Sequence, residues 1–222
     1  LLEVARTSTT DDATTATAIN VGKELKKTMI ICKDAPGFVV NRLLTRFMGE
    51  VTDAMDEGTA PDTADNAMRP LGFPMSPFEL LGLVGPGVAL HVAETLHHNL
   101  GPRYRISPTM QRLVKEGVKT FYIKTDNGFA PNPAALALVE KGNTPSTSEQ
   151  VRARALKALA EEARMMLDEG VVATPAEIDL CMLLGAGWPM HLGGILPYLD
   201  REGISESVTG KRFHQPGVAS LA

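Results

Sequence analysis

Apolar residues recur at three- and four-residue spacing along much of the chain. Leu43, Leu44, Phe47, Met48, Val51 and Met55 mark one face of a long helix that Asp56-Glu57-Gly58 ends. Glycine suits the left-handed position just past a helix. A second long helix is expected beyond residue 147, with Leu156, Leu159, Ala163, Met166 and Leu167 on its apolar face and Asp168-Glu169-Gly170 at its end. Between the two, Pro61-Asp62-Thr63-Ala64 starts a helix running toward Arg69. Ser76-Pro77-Phe78-Glu79 offers a cap, a first helical proline and an acidic first turn. Val88 to His98 and Pro108 to Gly117 also read as helical. The stretch holding Asn127-Gly128, Pro131, Pro133, Gly142-Asn143 and Pro145-Ser146-Thr147-Ser148 reads as a linker.

Residues 1–33 have a different pattern, strand–helix–strand. Leu1 to Arg6 is short and apolar, Thr10-Asp11-Asp12 can cap a helix over Ala13 to Lys27, and Thr28-Met29-Ile30-Ile31-Cys32 is a β-branched run of strand length. Two strands leave edges and faces bare. This segment is therefore expected to be the last part of a larger α/β domain, disordered on its own or paired with another chain. The chain opens without methionine, inside a strand, and is expected to be a fragment or a processed product.

The two helix ends share the tripeptide Asp-Glu-Gly, and the match extends in order around it. Arg42 corresponds to Arg154, Leu44 to Leu156, Asp65 to Asp179 and Met68 to Met182; Gly72-Phe73-Pro74-Met75 corresponds to Gly187-Trp188-Pro189-Met190. Two copies of one helical unit are expected. Each has an apolar face that it cannot bury alone, so the simplest packing sets one copy on the other about a pseudo-two-fold axis. The expected fold is mainly α. A remnant of an α/β domain occupies 1–33, the first helical unit 34–125, a linker 126–147 and the second unit 148–222.

Composition narrows the function. A net charge of −4 and scattered basic residues give no general attraction to nucleic acid. No apolar run approaches the roughly 20 residues of a membrane span, and the N-terminus lacks a secretory pattern; a cytoplasmic protein is the expectation. Cys32 and Cys181 stand alone, as expected of small buried residues. His91, Glu94 and His98 share a helical face, but no further ligand at matching spacing makes them a metal site. Phe73, Trp188 and His191 are expected to pack, and Met48, Met55, Met165 and Met166 to fill core.

The run Lys33-Asp34-Ala35-Pro36-Gly37-Phe38-Val39-Val40-Asn41-Arg42-Leu43-Leu44 resembles the domain junction of the 3-hydroxyacyl-CoA dehydrogenases, and Gly72-Phe73-Pro74-Met75-Ser76-Pro77-Phe78-Glu79-Leu80 is similar to the turn that follows it. Glu169 to Asp179, with Gly187-Trp188-Pro189 and Gly193-Gly194, resembles the second C-terminal repeat of the multifunctional β-oxidation enzymes, which fuse an enoyl-CoA hydratase to the dehydrogenase. Residues 100–147 carry least of the likeness. The resemblance implies oxidation of (S)-3-hydroxyacyl-CoA to 3-ketoacyl-CoA with NAD. It implies a general-base His oriented by a carboxylate. Glu3 matches that carboxylate, Asn41 a catalytic amide beside the reacting oxygen, and Arg42 a contact to the CoA phosphates. The His would lie before Leu1.

NAD would be held by an upstream domain, because neither Gly85-Pro86-Gly87 nor Gly185-Ala186-Gly187 stands where a dinucleotide fingerprint must, between a strand and a helix. Implied partners are the acyl-CoA substrate, the upstream NAD-binding domain, a hydratase domain, a thiolase subunit and a possible homodimer mate. These residues alone are expected to be inactive. The alternative is a non-catalytic helical dimerisation or assembly module.

Overall fold

The structure, a computed structural model, describes residues 1–126 and 128–218. It is mainly helical. In chain order its elements are β1 (Leu2–Arg6), α1 (Asp12–Glu24), β2 (Met29–Lys33), α2 (Val40–Asp56), α3 (Pro61–Asn66), α4 (Pro77–Val84), α5 (Pro86–Leu100), α6 (Pro108–Lys115), β3 (Tyr122–Thr125), β4 (Gly128–Pro131), α7 (Pro133–Leu136), α8 (Ser148–Asp168), α9 (Pro175–Gly185), α10 (Ile195–Arg201) and α11 (Ile204–Thr209). Short 3-10 turns flank the matched Gly-aromatic-Pro-Met segments, at Arg69–Leu71 before the first and at Met190–Leu192 at the end of the second.

Most of the two apolar stripes is buried, with Leu44, Met48 and Leu167 only half-buried at their edges. On α2, Val40, Leu43, Phe47, Val51, Ala54 and Met55 are buried; on α8, Val151, Ala155, Leu156, Leu159, Ala163 and Met166 are. Ser76 and Glu79 close a reciprocal capping box on α4: the Glu79 amide donates to Ser76 Oγ at 3.3 Å and the Ser76 amide to Glu79 Oε2 at 2.7 Å. Glu177 reaches back to the Thr174 amide in the same way at the start of α9, at 2.7 Å. Asp11 caps α1 by accepting from the Thr14 amide at 2.7 Å.

By contacts the chain forms two compact units, residues 1–44 with 159 onward, and 45–158. They do not coincide with the two sequence repeats, because α2 begins in the first unit and ends in the second while α8 does the reverse.

In the first unit the N-terminal segment is ordered, contrary to the expectation of disorder. β1 and β2 pair in parallel from Leu2↔Met29 to Arg6↔Lys33. The Lys33 amide continues the hydrogen bonding onto the Val171 carbonyl at 2.8 Å. A Cβ on Gly185, at the end of α9, would meet the side chains of Val40 and Leu1 at 2.7 and 2.9 Å. The second repeat thus gives these strands the covering that two strands alone lack.

In the second unit the expected linker carries structure. β3 and β4 form an antiparallel hairpin from Tyr122↔Pro131 to Thr125↔Gly128, and α7 follows. Residues beyond it lie against the end of α2. The Thr144 amide donates to the Glu57 carbonyl and the Ser146 amide to Thr59 Oγ1, both at 2.8 Å. A Cβ on Gly142 would come within 2.2 Å of the Glu57 carbonyl carbon. Only glycine fits there. Turn residues signal where a chain bends, not what the bent segment binds.

Candidate active site

The first turn of α2 gathers two of the three residues singled out by sequence. Gly37 and Phe38 have φ of 75° and 47°. Glycine takes the left-handed region freely, whereas a residue with a side chain does so at some cost. This corner starts α2 beside β1, so that its unpaired first amides face Glu3. Glu3 Oε1 accepts from the amides of Val39 at 2.8 Å and Val40 at 3.1 Å. A helix N-terminus carries unsatisfied N–H groups and partial positive charge, and a carboxylate answers both. The other Glu3 oxygen makes no hydrogen bond among the described residues. Asn41 follows directly. It is exposed, and its side-chain amide has no hydrogen-bond partner among the described residues. An ionised acid held by two amides and an adjacent uncommitted amide are equipped to orient an imidazolium and to hold a polar oxygen.

Arg42 does not join them at the surface, which corrects its expected contact with CoA phosphates. Its side chain is fully buried. Nε donates to Glu162 Oε1 at 2.6 Å, and the two terminal nitrogens grip Glu169 at 2.6 Å (Oε2) and 3.0 Å (Oε1). Burial opposes the positive charge, but the hydrogen bonds it donates to Glu169 and Glu162 outweigh that and raise the guanidinium's pKa. Position 42 lies on the inward side of α2, where Leu43 and Val39 are also buried, so the side chain cannot turn toward solvent with Asn41.

Sequence reasoning missed Glu162 and its counterpart Glu50. Arg154, 112 residues after Arg42, makes the same pattern: Nε to Glu50 Oε2 at 3.1 Å, and its terminal nitrogens to Glu57 at 2.5 and 3.3 Å. Glu50 and Glu162 stand the same 112 apart, as do Glu57 and Glu169. The repeat held the signal, had it been followed from the cations to the acids.

Asp65 and Asp179, noted only as matching positions, prove to be paired helix anchors. Asp65 Oδ1 accepts from the Phe78 amide at 2.7 Å and Asp179 Oδ1 from the Leu196 amide at 2.8 Å. Each then takes a second donor, the Tyr122 hydroxyl for Asp65 and His214 Nε2, 2.7 Å away, for Asp179. Burial pushes the Asp179 carboxyl up. His191 is exposed rather than packed, and Phe73 is only half-buried, while Trp188 is buried against the Tyr198 ring.

A cavity of about 420 Å³ opens at the Gly72–Glu79 turn. Asp62, Asp65 and Glu79 line it against one cation, Arg69, which is the wrong balance for phosphates. The N-terminus of α1 does not fit a dinucleotide either: the turn before it, residues 7–11, holds no glycine, and the Asp11 carboxylate already takes the Thr14 amide and sets a negative charge at the helix start. Cys32 and Cys181 are buried, their thiols pushed up to about 11 and about 12 by burial and then by Glu3; both stay protonated and unreactive. His91, Glu94 and His98 are all exposed, and among the described residues no three potential ligands converge on a metal position. Among the described residues no single helix is long and apolar enough to cross a membrane.

Residues 37–131 match the C-terminal domain of 3-hydroxyacyl-CoA dehydrogenase. The fatty acid oxidation complex subunit alpha of Shewanella amazonensis is 31% identical over 220 residues, covering 94% of this chain and 31% of the relative. That of Vibrio cholerae is also 31% identical, covering 96% and 31%. The chain thus spans about a third of the length of the curated relatives it matches. In fold it is similar to 3-hydroxybutyryl-CoA dehydrogenase from Escherichia coli K12, with a TM-score of 0.68 and 20% identity over 97% of this chain and 65% of that one. (S)-3-hydroxybutyryl-CoA dehydrogenase from Ralstonia eutropha gives 0.50 and 30% over 53% and 43%.

Proposed function

Because the chain belongs to the 3-hydroxyacyl-CoA dehydrogenase family through its C-terminal domain, we propose that it forms the substrate side of an NAD-dependent L-3-hydroxyacyl-CoA dehydrogenase of fatty-acid oxidation. The observation that carries this reading is the juxtaposition of Glu3 and Asn41 at the start of α2. Glu3 is fixed by the Val39 and Val40 amides, and its second oxygen is left for a partner. The proposed reaction takes (S)-3-hydroxyacyl-CoA to 3-ketoacyl-CoA; NAD, bound elsewhere, would supply the hydride acceptor and a His would take the hydroxyl proton. The role of Glu3 is to orient that His and stabilise its charged form. Asn41 offers its amide to the substrate oxygen. NAD and the His are assigned to a nucleotide-binding domain outside these residues, since the α1 N-terminus does not fit the dinucleotide. Hydride chemistry belongs to the cofactor, and the share of this chain is positioning.

The second repeat is assigned the place of a dimer mate. Arg42 with Glu162 and Glu169, and Arg154 with Glu50 and Glu57, are the reciprocal contacts that a two-fold relation between repeats would generate. The same contacts favour a second reading, a purely structural packing module. The two readings part in one assay. The full-length gene product should oxidise NADH with acetoacetyl-CoA, and residues 1–222 alone should not. Glu3→Gln should lower kcat by roughly 10²-fold or more, because a neutral partner neither orients nor stabilises the charged His. An active full-length protein indifferent to Glu3→Gln and Asn41→Ala would leave only the packing role.

A further inference from the structure

We infer that Arg42 is a positioning residue, through which Glu162 and Glu169 of the second repeat hold the first turn of α2 and with it Asn41 and the amides that bind Glu3. The inference rests on the dehydrogenase reading above and extends it: the second repeat acts on the site as well as filling a dimer mate's place.

The first turn of a helix lacks backbone partners for its amides and frays most easily. Here that turn carries the functional groups. Val39 and Val40 present their amides to Glu3, and Asn41 presents its side chain outward. Arg42 is the next residue. Its amide closes the first backbone bond of the turn onto the Gly37 carbonyl at 3.1 Å. Its guanidinium is held through three nitrogens by two carboxylates. A planar fork gripped in this way cannot rotate or slide. Lys33, at the other side of the corner, is tied to the same neighbour: its amide donates to the Val171 carbonyl at 2.8 Å and Nζ to the Glu169 carbonyl at 3.5 Å. The Asp34-to-Phe38 corner is thus clamped at both ends by residues 162–171.

The duplicate supplies the internal control. Arg154 has the same partner pattern with Glu50 and Glu57, yet Ala153 stands where the first copy has Asn41. The Arg154 side chain is 33% exposed, whereas that of Arg42 is fully buried. One arginine serves packing alone, and the other, itself fully enclosed and bound to the fully buried Glu162, also holds the turn that carries Asn41. Misplacing a reacting group by about 1 Å costs on the order of 10²-fold in rate, so a loosened first turn should be visible in turnover.

The test compares Glu169→Gln with Glu57→Gln in the full-length gene product, assayed with acetoacetyl-CoA and NADH. Glu169→Gln is expected to lower kcat by about tenfold or more with KM within about twofold, and Glu57→Gln to leave both within about twofold. Equal losses in the two variants would overturn the inference and leave the dehydrogenase reading intact. So would a rise in KM at unchanged kcat for Glu169→Gln, which would return Arg42 to substrate binding. Should Glu169→Gln not fold, Arg42→Lys against Arg154→Lys answers the same question, since lysine keeps the charge but cannot grip two carboxylates. An inactive wild type would remove the dehydrogenase reading and this role with it.

Discussion

Asp53 lies on the second half of α2 with only 5% of its surface exposed, 3.6 Å from the Arg105 Nε. Burial pushes its carboxyl up to about 7; Arg105 pulls it back, and Glu50, Asp56 and Glu57 add to the rise. In the unfolded chain the same group titrates near 3.8. Between those values Asp53 carries a proton in the folded protein that it lacks in the unfolded one, so its own contribution to stability is fully present below about pH 4, is lost as pH rises toward 7, and levels off above. Asp53→Asn should flatten that slope and gain about 1–3 kcal/mol at pH 8 but little at pH 4. Urea midpoints of the two proteins at the two pH values check it; a difference between variant and wild type that does not grow from pH 4 to pH 8 would count against the buried acid as the cause. This group was invisible to periodicity. Spacing put Asp53 on α2 but could not say that Arg105 and its own neighbours would close over it.

The elements were mostly legible, and where they were not the reason is local. Caps at Asp11 and Ser76 and the stripes on α2 and α8 follow from short-range geometry, which a sequence states directly. The segment after α7 was read as a linker, since its Gly, Asn and Pro residues mark turns. Its attachment to the end of α2 is a long-range fact. Gly142→Ala should detach it: the added Cβ would press on the carbonyls of Asp56 and Glu57, which are backbone and cannot move aside. A loss of about 2–4 kcal/mol is expected, seen as a lower urea midpoint with the far-ultraviolet helix signal retained in dilute denaturant. A midpoint within experimental error of wild type would mean that the strap yields freely.

At the level of the molecule the two Arg–Glu networks share a pattern and differ in burial. Removing Arg42 leaves Glu169, at 43% exposure, in contact with water, but leaves the Glu162 carboxylate, which has no solvent exposure, without its principal cation. Removing Arg154 leaves Glu50 and Glu57, at 12% and 25%, partly in contact with water. An uncompensated buried charge costs about 3–5 kcal/mol, an accessible one about 1 or less. Arg42→Met should therefore destabilise by several kcal/mol and Arg154→Met by a fraction of that, measured by chemical denaturation. Equal costs would show that the two networks are equally solvated. The asymmetry was out of reach of the repeat, which matches residue to residue but carries no record of how deeply each copy lies.

The pattern of apolar positions, the caps and the duplicated Asp-Glu-Gly ends were enough to establish a mainly helical, internally repeated chain with an α/β segment at its start. The run from Lys33 to Leu44 was enough to suggest the family and to single out Asn41, and Leu2-Glu3-Val4 to single out Glu3. These features are local, or are copied at a fixed offset, so they survive being read along one dimension. Folding added the partners. Glu3 meets the Val39 and Val40 amides across 36 and 37 residues, and Arg42 meets Glu162 and Glu169 across 120 and 127. That second encounter turned an arginine expected at a ligand into an anchor inside the protein. Asn41 and Arg42 are adjacent in sequence, but a helix turns by about 100° per residue, and packing alone determined which of them faces solvent.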